Sequence, residues 1–265
     1  MPHITHRRAS AILTRATGFI CAFDYTLNPY SGCAFACHYC YAAFFAPTQH
    51  QQDRWGEWVQ VKANALELLQ KKRRRPLIDR SIYMSSVTDP YQPIERRLGL
   101  TRALLEELAE HHRVRLVIQT RSPLITRDVD LLRRFPYVRV NMTVTTDDED
   151  VRRAFEPMCP SNEQRLNAIS AVAAAGIETC ITLTPLLPLR DPAAFAQRLL
   201  ATGVGRFVVQ DFHATRSRFV AGTGEAARRL LQARGWGARE YVAARQALQA
   251  VLPALTEGQD GFRPE

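Results

Sequence analysis

The sequence predicts an α/β protein of six β/α units, either a partial TIM-like barrel or an open doubly wound sheet, followed by a helical C-terminal extension. Two observations predict this class. Between about residues 25 and 215, short runs rich in β-formers alternate with helical patterns, and such alternation implies parallel strands joined by right-handed crossovers. Polar residues also recur just after each run, where both architectures build their active sites. A chain of 265 residues can hold one domain of this kind.

The elements follow in order. Residues 1–24 form a lead segment, and a first strand is expected over Tyr25–Asn28. The stretch "NPYSGCAFACHYCYAAFF" comes next, then an excursion holding Trp55 and Trp58, which read as anchors of that loop. "SIYMSSV" (Ser81–Val87) is the second strand, and "LGLTRALLEELAEHH" (Leu98–His112) has the i, i+3, i+4 apolar spacing of a helix. "VRLVIQT" (Val114–Thr120) is a third strand, followed by a short helix over Arg127–Phe135. "VRVNMTVTT" (Val138–Thr146) alternates as a strand, and the acids of "DDEDVRRAFE" suit a helix N-terminus. Ser161 caps and Gly176 stops the helix "SNEQRLNAISAVAAAG". "IETCITLTP", the helix "DPAAFAQRLLATG" and the strand "RFVVQDF" (Arg206–Phe212) complete the six units. Beyond residue 215 two basic helices split by Gly235-Trp236-Gly237 are expected, with no strand, as an appendage over 216–265.

Composition narrows the function classes. Hydrophobic residues make up 46% and charged ones 23%, so the core needs no disulfides. No run approaches the roughly 18 apolar residues of a membrane span, and the basic start lacks an apolar stretch ending in a cleavage site. A cytoplasmic protein with reduced thiols is therefore expected, and clustered cysteines then point to metal or redox chemistry. The net charge of +9, nearly all from arginine, permits a polyanionic partner such as nucleic acid. "KKRRR" at 71–75 reads first as a solvated helix end.

Cys33, Cys37 and Cys40 hold the strongest signal, since three of the chain's six cysteines fall within eight residues. Structural zinc is normally closed by four ligands, and Cys21, Cys159 and Cys180 are single and scattered. A 4Fe–4S cluster tolerates three thiolates if its fourth iron takes an outside ligand. Cys21 and Cys180, among apolar neighbours, read as inert core thiols. At the strands' carboxyl ends lie Ser85, Ser86, Thr88 and Asp89, then Thr120 and Arg121, Thr143 to Thr146, Thr182 and Thr184, and Gln210 and Asp211. Ser86, Thr88 and Asp89 read as ligand contacts, or as turn residues before Pro90. Thr143 and Thr145 share one strand face and are expected to point inward. Arg165 in the first turns of a long helix fits the macrodipole poorly, which hints at an anion nearby. Glu156 reads as the cap of a loop, with a hydrogen bond to ribose hydroxyls as the alternative.

"CAFACHYC" resembles the radical S-adenosylmethionine (SAM) signature Cys-x3-Cys-x2-Cys, with an aromatic, Tyr39, before the last cysteine. "YTLNPYSGCAFACHYCYA", "SSVTDPYQPIERRLGLTR", "QTRSPLITRDVDLL" and "FEPMCPSNEQRLNAI" narrow the resemblance to the spore photoproduct lyase-related, DNA repair photolyase-like branch. The resemblance implies a partial (β/α)6 barrel of the radical SAM type. It implies a 4Fe–4S cluster on Cys33, Cys37 and Cys40, with SAM on the fourth iron cleaved reductively to a 5′-deoxyadenosyl radical. Tyr39 would lie beside the adenine, Thr120 and Arg121 at SAM's polar groups, Thr143 and Thr145 near its methionine or ribose, and Arg165 near its carboxylate. The expected reaction is lyase-like or repair chemistry on nucleic acid, DNA in particular, fed by an electron donor such as a flavodoxin or ferredoxin, away from any membrane. One departure stands out: the branch's hydrogen-donating cysteine before Asp-Pro is absent, and Ser86 cannot replace a thiol. Tyr83, Tyr91 or Cys159 would have to serve, or the reaction differs. Radical modification of a peptide or small metabolite is the alternative, and a zinc-stabilised nucleic-acid-binding module without catalysis is a third.

Overall fold

The computed structural model describes residues 2–212 and 224–264; the expected boundary between 215 and 216 lies outside the described residues. The lead segment forms β1 (His3–Arg7) and β2 (Leu13–Arg15), and the first expected strand is β3 (Tyr25–Leu27). The excursion contributes β4 (Tyr30–Ser31), α1 (Gln49–Asp53), β5 (Trp58–Lys62) and α2 (Ala65–Gln70). Then follow β6 (Ile78–Met84), α3 (Glu95–Leu98), α4 (Leu100–His111), β7 (Arg113–Thr120) and α5 (Val129–Leu132). Next come β8 (Tyr137–Thr143), α6 (Glu149–Phe155), α7 (Asn162–Ala174), β9 (Glu178–Leu183) and α8 (Pro192–Leu200). The chain continues through β10 (Phe207–Val209), α9 (Glu225–Ala233), α10 (Ala238–Val251) and β11 (Leu255–Glu257).

The six expected strands, β3 and β6 to β10, lie side by side in chain order, every neighbouring pair parallel. Spatial order never reverses, so there is no switch point. This is the winding of a barrel and not of a doubly wound sheet. Each inner strand divides by alternation. Leu116, Ile118, Val140, Met142, Ile181 and Leu183 join the apolar core under the helices, while Val117 and Cys180 turn inward with Tyr83. Higher inside, the Tyr83 hydroxyl donates to Gln119 Oε1 at 2.9 Å, and Gln119 Nε2 donates to Thr143 and Thr182 at 2.7 and 3.0 Å. That polar layer becomes the floor of the site.

Four differences from the sequence reading stand out, the first two with local causes. The second strand starts and ends three residues early, because Ser85 takes a left-handed φ of +73° that ends it at Met84. The helix expected over Leu98–His112 begins after a break at Gly99, whose φ is +61°. A strand does occur beyond residue 215: β11 pairs in parallel with β10. Cys21 is exposed, not in the core, while Cys180 is fully buried. Unforeseen as well are a separate sheet of β1, β5 and β4, and β2 as an antiparallel edge on β3. Ser161 caps α7 with a capping box, as expected. Residues 71–75 are exposed at the end of α2, ahead of β6 and so at the amino end of the sheet, opposite the cysteine loop.

The lead and the tail meet across the open side of the barrel. A turn over Gly18–Ile20 follows β2 and another over Gly258–Phe262 follows β11. Phe19 and Phe262 make an edge-on contact at 5.3 Å, and Phe262 reaches Tyr83 at 6.5 Å. Replacing Phe262 by alanine is expected to cost about 3 kcal/mol, the low end for phenylalanine because the clasp can partly collapse. A thermal melt paired with limited proteolysis of the tail measures it.

Candidate active site

The cysteine loop leaves β3 at the carboxyl edge of the barrel and is held from below by the segment after β6. Thr88 Oγ1 donates to the carbonyl of Gly32 at 2.7 Å, and the N–H of Ala34 donates to Gln92 Oε1 at 3.0 Å. Gly32 has a φ of +75°, and a Cβ there would stand 2.5 Å from the Trp58 carbonyl, so only glycine lets the loop turn against β5. Within the excursion, the Trp58 indole N–H donates to the carbonyl of Gln51 at 2.7 Å. Further along, the His38 N–H donates to the carbonyl of Phe155 at 2.9 Å, fastening the loop to the end of α6.

Cys33, Cys37 and Cys40 all line one cavity of about 460 Å³, within the size range of small-molecule sites. Ser85, Ser86, Thr88 and Asp89 after β6, Thr120 and Arg121 after β7, and Thr143 of β8 share its wall, with Tyr39 and Tyr83. Asp89 is fully engaged from within: it accepts from the N–H groups of Tyr91 and Arg121, both at 2.9 Å, and from Thr120 Oγ1 at 2.8 Å. Burial pushes its carboxyl up, and these same bonds oppose the rise. Ser85 lines the cavity with a buried hydroxyl that has no partner among the described residues, on a strained backbone.

Several of the residues singled out in the sequence lie outside the cavity wall, among them Tyr91, Thr145, Thr182, Asp211 and Arg165, whereas Thr184 and Gln210 line it. Tyr91 is buried beneath the segment after β6. Thr145 and Arg165 turn instead to Glu156, the residue that sequence reasoning undervalued. Glu156 is 0% exposed and accepts from Arg165 Nη2 at 2.5 Å, Thr145 Oγ1 at 3.0 Å and Arg121 Nη1 at 3.3 Å, as well as from the Tyr39 hydroxyl. Burial alone would favour its neutral form, yet the guanidiniums of Arg165 and Arg121 hold its pKa down to about 2. The anion implied by Arg165's unfavourable helix position is therefore Glu156, part of the protein itself. Arg121 completes the link, donating to Cys37 Sγ at 2.7 Å and the Tyr39 hydroxyl at 2.8 Å.

The donor set can be weighed against the two metal readings. Among the described residues no three His, Cys, Asp or Glu side chains converge on one point. A four-iron cluster needs a different arrangement, with each thiolate on its own iron, and three thiols spread over one cavity wall fit it. Burial pushes the Cys33 and Cys40 thiols up, so loading iron there must release their protons. A further buried thiol, Cys159, has its sulfur 3.6 Å from that of Cys37 and does not line the cavity. Among the described residues no helix is long and apolar enough to cross a membrane.

Comparison with known proteins agrees with this geometry. An uncharacterized protein of Methanocaldococcus jannaschii is 38% identical over 164 residues, 62% of this chain and 61% of that protein. The chain thus spans about three fifths of the length of the curated relatives it matches. A mutant spore photoproduct lyase with bound AdoMet and dinucleoside spore photoproduct shares the fold at a TM-score of 0.63 and 16% identity, over 96% of this chain and 81% of that one. Streptococcus suis SuiB bound to precursor peptide SuiA shares it at 0.55 and 14% identity, over 88% and 48%. Residues 27–197, from the end of the first barrel strand through most of α8, match the model described as Radical SAM superfamily, whose members use a 4Fe–4S cluster and SAM. With well over half its length matched, this chain belongs to the radical SAM superfamily.

Proposed function

We propose that this protein is a radical SAM enzyme that acts on nucleic acid in a repair or lyase-like reaction. The observation that carries the reading is the convergence of Cys33, Cys37 and Cys40 with the carboxyl ends of the six barrel strands, Thr184 and Gln210 included, on one cavity. When bound, the cluster and SAM supply one-electron chemistry that yields a 5′-deoxyadenosyl radical. The protein's own residues do the rest. The three thiolates hold the cluster. Tyr39, Ser86, Thr88, Asp89, Thr120, Arg121 and Thr143 shape the wall for SAM, and Thr145 and Arg165 act through Glu156 to fix Tyr39 and Arg121. Tyr83, in the floor, is the candidate hydrogen donor within reach of the cavity; Tyr91 is walled off from it.

Nucleic acid is favoured by the aromatic wall and the net charge. Phe19, Tyr41, Phe45 and Trp55 line the cavity and offer faces on which a base can stack, and a charge of +9 favours a polyanion. Residues 71–75, at the far end of the sheet, are not part of this reading. A flavodoxin or ferredoxin would supply the electron. Ser86 favours a second reading for the reaction step itself: with no thiol at this place, thymine-dimer splitting lacks its donor, and a peptide or small metabolite becomes the competing substrate.

The test is SAM cleavage by the anaerobically reconstituted protein under dithionite. Formation of 5′-deoxyadenosine is expected, rising several-fold with DNA, with label moving from deuterated DNA into the product. Cleavage that is indifferent to DNA but stimulated by peptide would move the substrate to the second reading. A colourless protein with one zinc and no cleavage would remove both.

A further inference from the structure

We propose that Cys159 is a positioning residue for the cluster, donating an S–H···S bond to Cys37 that raises the cluster's reduction potential. The inference rests on Cys37 being a cluster ligand, as argued above. Among the described residues the single Cys159 S–H has two acceptors in reach, the Cys37 sulfur at 3.6 Å and the Phe35 carbonyl of the same cysteine loop at 3.7 Å, and a Cys37 thiolate is the stronger acceptor of the two because it carries charge. Cys159 is buried but absent from the cavity wall. It therefore cannot hand a hydrogen atom to a substrate there, and it does not replace the thiol missing at Ser86. It faces the back of the cluster loop.

The turn that carries Cys159 is framed to keep it there. Arg152, 6% exposed, donates from Nη1 to the carbonyls of Glu156 and Cys159 at 3.2 and 2.9 Å. Arg165 Nε donates to the next carbonyl, that of Pro160, at 3.0 Å, and the Cys159 N–H closes the turn on Glu156 at 3.1 Å. Prolines at 157 and 160 stiffen it further. Two buried guanidiniums thus hold three carbonyls of one short turn, those of Glu156, Cys159 and Pro160.

Side-chain donors reach the Cys37 sulfur twice, from Cys159 and from Arg121 Nη1 at 2.7 Å. Among the described residues no side chain donates to the sulfur of Cys33 or Cys40. Hydrogen bonds to cluster sulfurs favour the more negative, reduced state and are one of the protein's means of setting the potential. The thiol of Cys159 would therefore tune the cluster's potential through its bond to the Cys37 sulfur.

The experiment is a redox titration of the reconstituted protein, followed by electron paramagnetic resonance, for the parent, C159A and C159S. Iron and sulfide contents are matched first. In C159A the ratio of reduced to oxidised cluster at a fixed potential is expected to fall about three- to tenfold, where tenfold corresponds to ~59 mV for one electron. C159S keeps a donor and is expected to recover most of that loss. If C159A holds no cluster, C159V fills the space without a donor and carries the same expectation. A midpoint in C159A or C159V equal to the parent's, or a midpoint in C159S as low as theirs, would overturn the proposal. A parent that assembles no four-iron cluster overturns the reading beneath it, a result distinct from any difference between variants.

Discussion

Replacing Cys33, Cys37 or Cys40 singly by alanine is expected to remove the cluster and reduce 5′-deoxyadenosine formation to background, a loss of roughly 10⁶-fold or more if the acceleration is typical of enzymes. The reason lies in the count of donors. Three protein thiolates with an open fourth position leave none to spare, since losing one leaves a second iron without a protein ligand. The fold should survive. The loop is fastened independently by Thr88 at Gly32, Gln92 at Ala34 and Phe155 at His38, so far-ultraviolet circular dichroism is expected to stay unchanged. Cys180→Ala is the control: that thiol lies in the barrel interior, away from the cavity wall. It should retain iron and cleavage while losing some stability as a small core cavity opens. Iron analysis, the visible spectrum and product formation decide the matter together. A C37A protein with four irons and normal cleavage would sink the assignment.

The six barrel strands were legible in the sequence because parallel strands covered by helices are continuous apolar runs, and their periodicity survives without knowledge of any partner. β1, β4, β5 and β11 were not, for a physical reason. They are two to five residues long, and they exist through pairings such as His3 with Trp58 and Phe207 with Leu255, which no local pattern encodes. The site divides in the same way. Cys33, Cys37 and Cys40 are close in sequence, so their spacing is itself the signal. The partners of Glu156 lie 117, 35, 11 and 9 positions away, at Tyr39, Arg121, Thr145 and Arg165. Each of those four is notable alone, but the carboxylate joining them reads locally as no more than a loop cap. The one clue was Arg165, a cation near a helix N-terminus, where the macrodipole disfavours it. The segment "TDPYQPIE" was legible as a motif but not in its task. Thr88 and Gln92 hold the cysteine loop. Glu95, fully buried, accepts from the Tyr30 hydroxyl at 2.5 Å and from Arg127 Nη2 at 2.8 Å, so the motif is also a brace between loop and barrel.

Glu156→Gln is expected to destabilise the protein by about 3–5 kcal/mol, because removing one member of a buried ion pair strands the others. Arg165 is 0% exposed and loses its counter-charge, and whichever way the amide turns, its NH2 replaces an acceptor oxygen, facing either Arg165 or the donors Thr145, Arg121 and Tyr39. For a domain of this size that is a fall of ~10 °C in melting temperature. The pH dependence separates lost charge from lost shape. Glu156 ionises at about 2 in the folded protein against an ordinary value of 4.5, so its folded pKa is depressed. The stability it contributes is then complete above about 4.5 and is lost as pH falls from there through 2. In E156Q that segment of the acid-unfolding curve is expected to flatten, whereas a purely steric defect would shift the whole curve and leave its slope intact. Function should fall with stability but by a different route. Tyr39 and Arg121 lose their common anchor while the three cysteines remain, so cluster iron is expected to stay near the parent's level as SAM binding weakens. Equilibrium dialysis of SAM against reconstituted E156Q reads this directly. Equal SAM affinity in the two proteins would confine Glu156 to stability alone and detach it from the site.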